Sequence, residues 1–448
     1  MSKHIGFQNK LSSFQIIILG FAGVIVLGAL LLMLPISTQN GVVTPFSKTL
    51  FTATSAVCVT GLVVFDTASY WSGFGQLIIL IMIQIGGLGV ISVASFLSML
   101  AGRKISLMQR QTMQNALSAP QMGGIVKLTR FIFLVSFAIE GIGALLLMPV
   151  FMTKYGIRGI WMAVFHSVSA FCNAGFDLMG KYEVGSSLAL FEKSFSVMVP
   201  IAMLIIVGGI GFQVWMDLLQ NRHHVKRFSL HTKVALTSTL VLILGGWVLY
   251  FIFEYDGHLA VLTMPQKVLS SFFMSVTTRT AGFAGFDLTE LSQSGSLLTM
   301  ILMLVGGCPG STAGGMKTTT VAVMVLSVCG MSRGHSDITV FKRRLNKDLI
   351  KHAAVIVFVY ITAVLGATLA ICAVEGVNMS SVLFETCSAL GTAGLSQGLS
   401  ASAGEFTKIV LIILMYGGRI GGLSLLLVFA EKKTEPPLKR PAEKIMIG

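Results

Sequence analysis

One eight-residue motif occurs four times in this chain, roughly 110 residues apart, and internal repetition at a fixed period limits the open folds more than any other feature. The copies read Ser55-Ala-Val-Cys-Val-Thr-Gly-Leu62, Ser169-Ala-Phe-Cys-Asn-Ala-Gly-Phe176, Val276-Thr-Thr-Arg-Thr-Ala-Gly-Phe283 and Ser388-Ala-Leu-Gly-Thr-Ala-Gly-Leu395. Aligned on Gly61, Gly175, Gly282 and Gly394, they share a Phe ten residues upstream: Phe51, Phe165, Phe272 and Phe384. Each copy lies in a polar, Gly-bearing loop between two apolar stretches. Four such units around an axis make a pore with four near-equivalent loops pointing into it. The expected repeats are 1–103, 104–226, 227–345 and 346–448.

The chain is 54% hydrophobic and 11% charged. A soluble domain carries about 25% charged residues, so this is a polytopic membrane protein. Spans of about 20 apolar residues are expected at 14–34, 75–99, 130–150, 194–216, 234–254, 295–328 (broken), 352–374 and 407–430. The expected fold class is all-α, with eight transmembrane spans in four fused helix–loop–helix repeats. Met1 to Lys10 is too polar for the apolar core of a signal peptide, so the first stretch is kept as a span.

The net charge of +14 raises nucleic acid or anionic lipid as partners. Its distribution points to topology instead. Cations cluster in alternate connections: Arg103 to Arg130, Arg222 to Lys233, Arg333 to Lys351, and the tail from Lys432 to Lys444. The motif segments are poor in them. The positive-inside rule then places both termini in the cytoplasm and the motif loops outside. No nucleic-acid partner is expected; the lipid bilayer is. The six cysteines, including Cys58 and Cys172 at matched motif positions, show no metal spacing, and neither do His223, His224 and His231. No nucleophile–base constellation supports catalysis. Connections of about 20–30 residues are too small for a core of their own, so any nucleotide-sensing domain belongs to another polypeptide.

Each motif should end a short re-entrant helix, as from Phe46 to Val57 after Pro45, which sits at a favoured helix start. Irregular backbone at membrane depth survives only where it lines water or is buried in protein. Cys58 to Gly61 and its counterparts are therefore expected to face a pore. A cation filter needs backbone carbonyls turned inward, and glycine reaches the φ > 0 dihedrals this requires without penalty. The candidate ion-binding residues are Cys58, Val59, Thr60, Gly61, Cys172, Asn173, Ala174, Gly175, Arg279, Thr280, Ala281, Gly282, Gly391, Thr392, Ala393 and Gly394. Arg279 suits a cation filter only if its side chain points behind the loop, toward an acid or carbonyls. Asp66, Asp177 and Asp287 follow their motifs and either draw cations to the outer mouth or are ordinary loop acids.

A second unusual run is Val305-Gly-Gly-Cys-Pro-Gly-Ser-Thr-Ala-Gly-Gly-Met-Lys317, whose glycines and Pro309 cannot continue as regular helix. It is one residue away from a phosphate-binding GxxxxGK[ST] pattern and sits between apolar half-spans, which argues against nucleotide binding. Arg419, in Tyr416-Gly-Gly-Arg-Ile-Gly-Gly-Leu423, is an intramembrane charge and hence a functional candidate. The glycine pairs Gly86-Gly87, Gly208-Gly209, Gly306-Gly307 and Gly417-Gly418 recur in the inner helices, where they allow close packing or bending.

These motifs together resemble the Trk/Ktr/HKT superfamily of potassium transporters over nearly the whole chain, and most of all its Ktr-type membrane subunit. The resemblance implies that Gly61, Gly175, Gly282 and Gly394 are the filter glycines, and that Gly rather than Ser at position 61 goes with potassium preference. It implies a gating loop below the filter, with Gly306, Gly307, Gly310, Gly314, Gly315, Lys317 and Arg419 as gate residues. Lys317 either adds to a positive barrier or snorkels to the cytoplasmic interface. The cargo implied is potassium, with sodium as a second ion, and no organic cofactor. A homodimer in the plasma membrane and a cytoplasmic ring of nucleotide-binding regulatory subunits are implied too. The alternatives are a sodium- or proton-coupled carrier, a less selective sodium/potassium transporter, and an intramembrane enzyme. Coupled carriers commonly show inverted repeats and midplane acids; here the repeats are parallel, and only Glu140 lies deep in a span.

Overall fold

The computed structural model describes residues 12–102, 105–117, 123–182, 185–222, 224–334 and 337–421. His223, the tail cations and the end of the 407–430 stretch lie outside these residues. Four long apolar helices, Ser13–Leu32, Ile125–Tyr155, Leu230–Phe253 and Lys347–Glu375, are long enough to cross a membrane. Each of these outer helices is followed by a short helix: Phe46–Val57, Arg158–Phe171, Met264–Thr277 and Met379–Gly391. An inner helix follows each short one, starting with Gly73–Leu88, Phe195–Ile210, Gln293–Leu304 and Glu405–Ile420.

Local sequence sets these boundaries. Ser12 and Gln15 form a capping box that starts the first outer helix. Gly156 (φ 63°) and Gly376 (φ 64°) end the second and fourth outer helices in a left-handed residue, so the chain turns at once into the next short helix. Asn378 starts the fourth short helix by accepting the Ser380 N–H at 2.9 Å. Leu27, Leu30, Leu145, Leu146, Val241, Ile252, Leu365 and Leu369 all stand exposed on the outer helices. Apolar surface on that scale marks a membrane or protein interface.

The core forms around the short helices. Phe51, Phe165 and Phe384 are fully buried at matched places. The third copy departs from the alignment read from sequence. There Phe272 is half-buried against Trp247, edge-on at 5.8 Å, and Phe273 is fully buried. Thr277 Oγ1 donates to the Phe283 carbonyl at 2.7 Å, the same bond that Ser169 Oγ makes to Phe176 at 2.7 Å. The third copy therefore has one residue fewer between this hydroxyl residue and its glycine, and Thr277, not Val276, is the counterpart of Ser169.

The inner helices correct a second expectation. The stretches 75–99 and 194–216 are not straight spans. Gly73–Leu88 and Val90–Leu100 meet at 98°, and Phe195–Ile210 and Phe212–Asn221 at 92°. The joints are Gly89 (φ 86°) and Gly211 (φ 103°), dihedrals closed to a helix. The third inner helix stops at Leu304 and resumes as Thr318–Ser332, and Gly421 (φ 87°) ends the fourth. Among the described residues, four helices are long and apolar enough to cross a membrane, or up to six if each bent pair is one span. The glycine pairs Gly86-Gly87, Gly208-Gly209 and Gly417-Gly418 remain helical just before these joints, whereas Gly306-Gly307, expected in an inner helix, lies past the end of the helix at Leu304, in the break. Gly86, Gly208 and Gly418 leave room for the carbonyls of Val57, Phe171 and Leu390 at the ends of the short helices.

Candidate functional site

The four short helices deliver their loops to one point. A Cβ on Gly61 would stand 2.6 Å from the Ala174 carbonyl oxygen, one on Gly175 2.8 Å from that of Ala281, and one on Gly282 2.8 Å from that of Ala393. One on Gly394 would collide with the Thr60 carbonyl. Each glycine thus touches the carbonyl preceding the glycine of the next copy, and the series closes into a ring. All four glycines have φ between 68° and 97°.

The residue two before each glycine is also left-handed: Val59 (φ 56°), Asn173 (57°), Thr280 (67°) and Thr392 (50°). For β-branched Val and Thr this is a genuine outlier, costing roughly 1–2 kcal/mol each. Neighbouring bonds hold the strain. Thr60 N, Ala174 N and Ala393 N each donate at 2.8 Å to the carbonyls of Ser55, Ser169 and Ser388, and Gly61 N donates to Ser55 Oγ at 3.1 Å. Between the two positive-φ residues of each loop, the carbonyls of Thr60, Ala174, Ala281 and Ala393 each face the glycine of a neighbouring copy. Thr60 Oγ1, Asn173 Oδ1, Thr280 Oγ1 and Thr392 Oγ1 are buried there with no protein partner. The ring carbonyls suit an alkali cation passing as cargo. Cys58, Cys172 and Gly391 end the helices in their copies.

Above the ring lies a cavity of about 520 Å³ lined by all four glycines and by Asp66, Asp177 and Asp287. Asp66 and Asp287 also brace their own turns, accepting from Ser69 N at 2.7 Å and Thr289 N at 2.9 Å. Burial pushes the Asp177 carboxyl up to about 6, and the nearby Asp66 charge adds to this, against the Met179 N–H that Asp177 accepts.

Below the ring the loop 305–317 packs directly against it. Asn173 Nδ2 donates to Thr312 Oγ1 at 3.2 Å, and Thr312 Oγ1 donates to the Phe171 carbonyl at 3.0 Å. Gly314 leaves room for the Thr392 hydroxyl, and Gly315 N donates to the Gly418 carbonyl at 3.2 Å. The second bend joins in: Cys308 N donates to Gly209 O at 2.9 Å and Phe212 N to Gly310 O at 2.7 Å. The neck is closed by Gly306 N donating to Met316 O at 2.7 Å, beside Gly307.

Three cations meet this region. Arg419 spreads its guanidinium between two elements, donating to the Thr312 carbonyl of the loop and to the Gly86 and Gly87 carbonyls of the first inner helix, the last at 3.1 Å. Lys317 folds back on the loop and donates to Ala313 O at 2.7 Å. Arg279 is only 8% exposed. Of the two expected partners, an acid or carbonyls, neither is found: among the described residues Arg279 makes no ion pair or hydrogen bond, Nε is buried without a partner, and its electrostatic neighbour is Cys308. That neighbour puts the Arg279 side chain on the side of the 305–317 loop.

Sequence reasoning missed Glu385. It lies fully buried in the fourth short helix, where its carboxylate accepts from Ser396 Oγ, Ser400 N at 3.3 Å and Ser400 Oγ at 3.0 Å, fixing the chain after Gly394. A lone acid within an apolar helix was the available signal. Among the described residues no three His, Cys, Asp or Glu side chains converge as a metal site.

Comparison with known proteins agrees with this architecture. Residues 4–437 match the family model TrkH, described as cation transport protein. The chain is 39% identical over 449 residues to the potassium/sodium uptake protein NtpJ of Enterococcus hirae, covering 98% of each. It is 38% identical over 439 residues to the Ktr system potassium uptake protein B of Bacillus subtilis, covering 97% of this chain and 96% of that one. The potassium transporter TrkH from Vibrio parahaemolyticus superposes with a TM-score of 0.73 over 96% of this chain and 86% of that one; at 17% identity this is a likeness of fold. A ring of four glycine loops in a helical membrane protein, with full-length transporter relatives, leaves no room for an enzyme: the chain belongs to the TrkH family of cation transport proteins, of the Ktr/Trk type.

Proposed function

We propose that this chain takes up potassium across the plasma membrane through the glycine ring, driven by the membrane potential. The observation that carries the reading is the closed ring of Gly61, Gly175, Gly282 and Gly394, each against a neighbouring carbonyl. Such a ring replaces a cation's water shell with backbone oxygens. The names of the Bacillus subtilis and Enterococcus hirae relatives support potassium as cargo, and the latter gives sodium as a second ion. The three aspartates of the outer cavity concentrate cations above the ring. The loop 305–317 is the gate, and Arg419 its latch.

The four sequence repeats, 1–103, 104–226, 227–345 and 346–448, are the four walls of the pore, with their bent or broken inner helices completing eight crossings. Both termini are cytoplasmic, as the distribution of Lys and Arg supports. The protein works as a homodimer regulated by a cytoplasmic nucleotide-binding ring. The small hairpin Thr339–Val340 with Arg343–Arg344, which exposes Phe341 and two arginines, is a docking point for that ring.

Gly61→Ser tests the filter. The new side chain must adopt φ 97° and meets the Ala174 carbonyl at 2.6 Å. The potassium/sodium permeability ratio in liposomes should fall. A ratio equal to that of the parent protein removes Gly61 from the filter.

A further inference from the structure

Glu140 sits midway along the second outer helix and is 5% exposed. Among the described residues it has no ion-pair partner. Its carboxylate accepts from Gln84 Nε2 at 3.0 and 3.2 Å, and the Cys172 thiol lies 3.9 Å away. The same thiol reaches Gln84 Oε1 at 3.6 Å. Three elements therefore meet in one polar knot: the second outer helix, the first inner helix and the start of the second loop. The knot lies directly behind that loop, because Cys172 caps the short helix and the chain runs from it to Gly175. Contact is tight: a Cβ on Gly87 would stand 2.6 Å from Cys172 Sγ.

Helix packing does not ask for a carboxyl at this place. Ser167 Oγ donates to the Glu140 main-chain carbonyl at 2.6 Å. In the third copy Ser275 Oγ donates in the same way to the carbonyl of Ile243 at 2.7 Å. The structural tether is met there by an aliphatic residue. An ionisable group at membrane depth without a counter-charge is costly to keep, and what it adds here is its reach to the loop. We infer that Glu140 is a positioning residue for ion selection, fixing the Cys172–Gly175 strand of the ring through Gln84 and the Cys172 thiol. The inference rests on the glycine ring being the filter.

The test compares Glu140→Leu, Gln84→Leu, the double Leu variant, Glu140→Gln and Gly175→Ala, each purified and reconstituted in liposomes. The readouts are the potassium/sodium permeability ratio and the maximal rate at saturating potassium. Each single Leu variant should lower the ratio at least threefold, and the double variant no further than the lower single, because the pair acts as one unit. Glu140→Gln should keep more than half of the ratio, since an amide still pairs with Gln84. An unchanged ratio in both Leu variants overturns the inference. So does a lowered rate at constant ratio, which is the mark of a packing role. If Glu140→Leu yields no monodisperse protein, the exchange Glu140→Gln with Gln84→Glu decides: a ratio within twofold of the parent supports the unit, and a larger loss overturns it. Gly175→Ala separates the two levels. If it leaves the ratio intact, the filter reading falls and this inference with it; if it lowers the ratio while the Leu variants do not, only this inference falls.

Discussion

Removing the Arg419 side chain should open the pathway. In the structure the guanidinium joins the loop, at the Thr312 carbonyl, to the first inner helix, at Gly86 and Gly87. Moving the loop aside breaks the first bond and leaves the others, which both belong to the fixed side. A hydrogen bond from a charged donor contributes about 1.5–3 kcal/mol. Losing one on opening therefore holds the closed form by about 10- to 150-fold in the equilibrium constant. Arg419→Ala removes that bias and also a positive charge from the path, so both effects raise flux. The assay is unidirectional rubidium uptake in cells at matched surface expression. Flux should rise by about tenfold or more where the parent protein is mostly closed, and saturate once the loop is mostly open. Arg419→Lys separates latch from barrier. An ammonium keeps the charge but cannot span two elements as the planar fork does. A latch makes Lys behave like Ala, and a barrier makes it behave like Arg. Unchanged or lower flux in both variants, at normal expression, refutes the assignment and makes the loop a structural plug.

Deleting residues 306–315 should raise rubidium uptake at least as much as Arg419→Ala, because it removes the whole segment packed under the ring; lower uptake by well-folded protein refutes the gate. With Asp177 raised to about 6, the carboxylate is charged at an outer pH of 7.5 and neutral at 5. The potassium concentration for half-maximal uptake should rise about 2- to 5-fold as the outer pH falls through that range, and Asp177→Asn should flatten the step. Reversing Arg343 and Arg344 to Glu, both exposed on the hairpin, should weaken co-purification with an acidic cytoplasmic partner by on the order of tenfold. Unaltered recovery places the docking surface elsewhere.

What could be read from the sequence follows from which residues have no substitute. The ring glycines stood out because the loops approach so closely that a Cβ on Gly61, Gly175 or Gly282 would lie under 3 Å from a neighbouring carbonyl, at dihedrals that favour glycine. Position 394 is as crowded. The broken third inner helix was legible for a related reason, since Pro309 and its glycines leave no helical alternative. The bends at Gly89 and Gly211 were not. Each follows a glycine pair that stays helical, and an apolar stretch reads the same whether it runs straight or turns. The one-residue slip in the third copy was hidden as well. Two adjacent phenylalanines, Phe272 and Phe273, and two adjacent threonines, Thr277 and Thr278, offered equal alignments, and only the hydrogen bond from Thr277 to Phe283 decides between them.

The second left-handed residue of each loop left no trace at all, and the reason bears on mechanism. Val59, Asn173, Thr280 and Thr392 share no chemistry that would mark a common dihedral. Three are β-branched, the type least suited to φ > 0. Their conformation comes from the frame: a short helix that ends one to three residues earlier, a serine or threonine carbonyl that takes the next N–H, and the ring contact beyond. Strain of this kind persists only where surroundings over-determine it. Four strained residues at one level mean that the helices around the ring fix the carbonyl directions against local preference. Anything that loosens the frame should then relax all four toward ordinary dihedrals and turn carbonyls away from the axis. Selectivity should therefore be sensitive to residues that never touch an ion, such as Glu385 and Ser55, and less so to the identity of the side chains at positions 59, 173, 280 and 392.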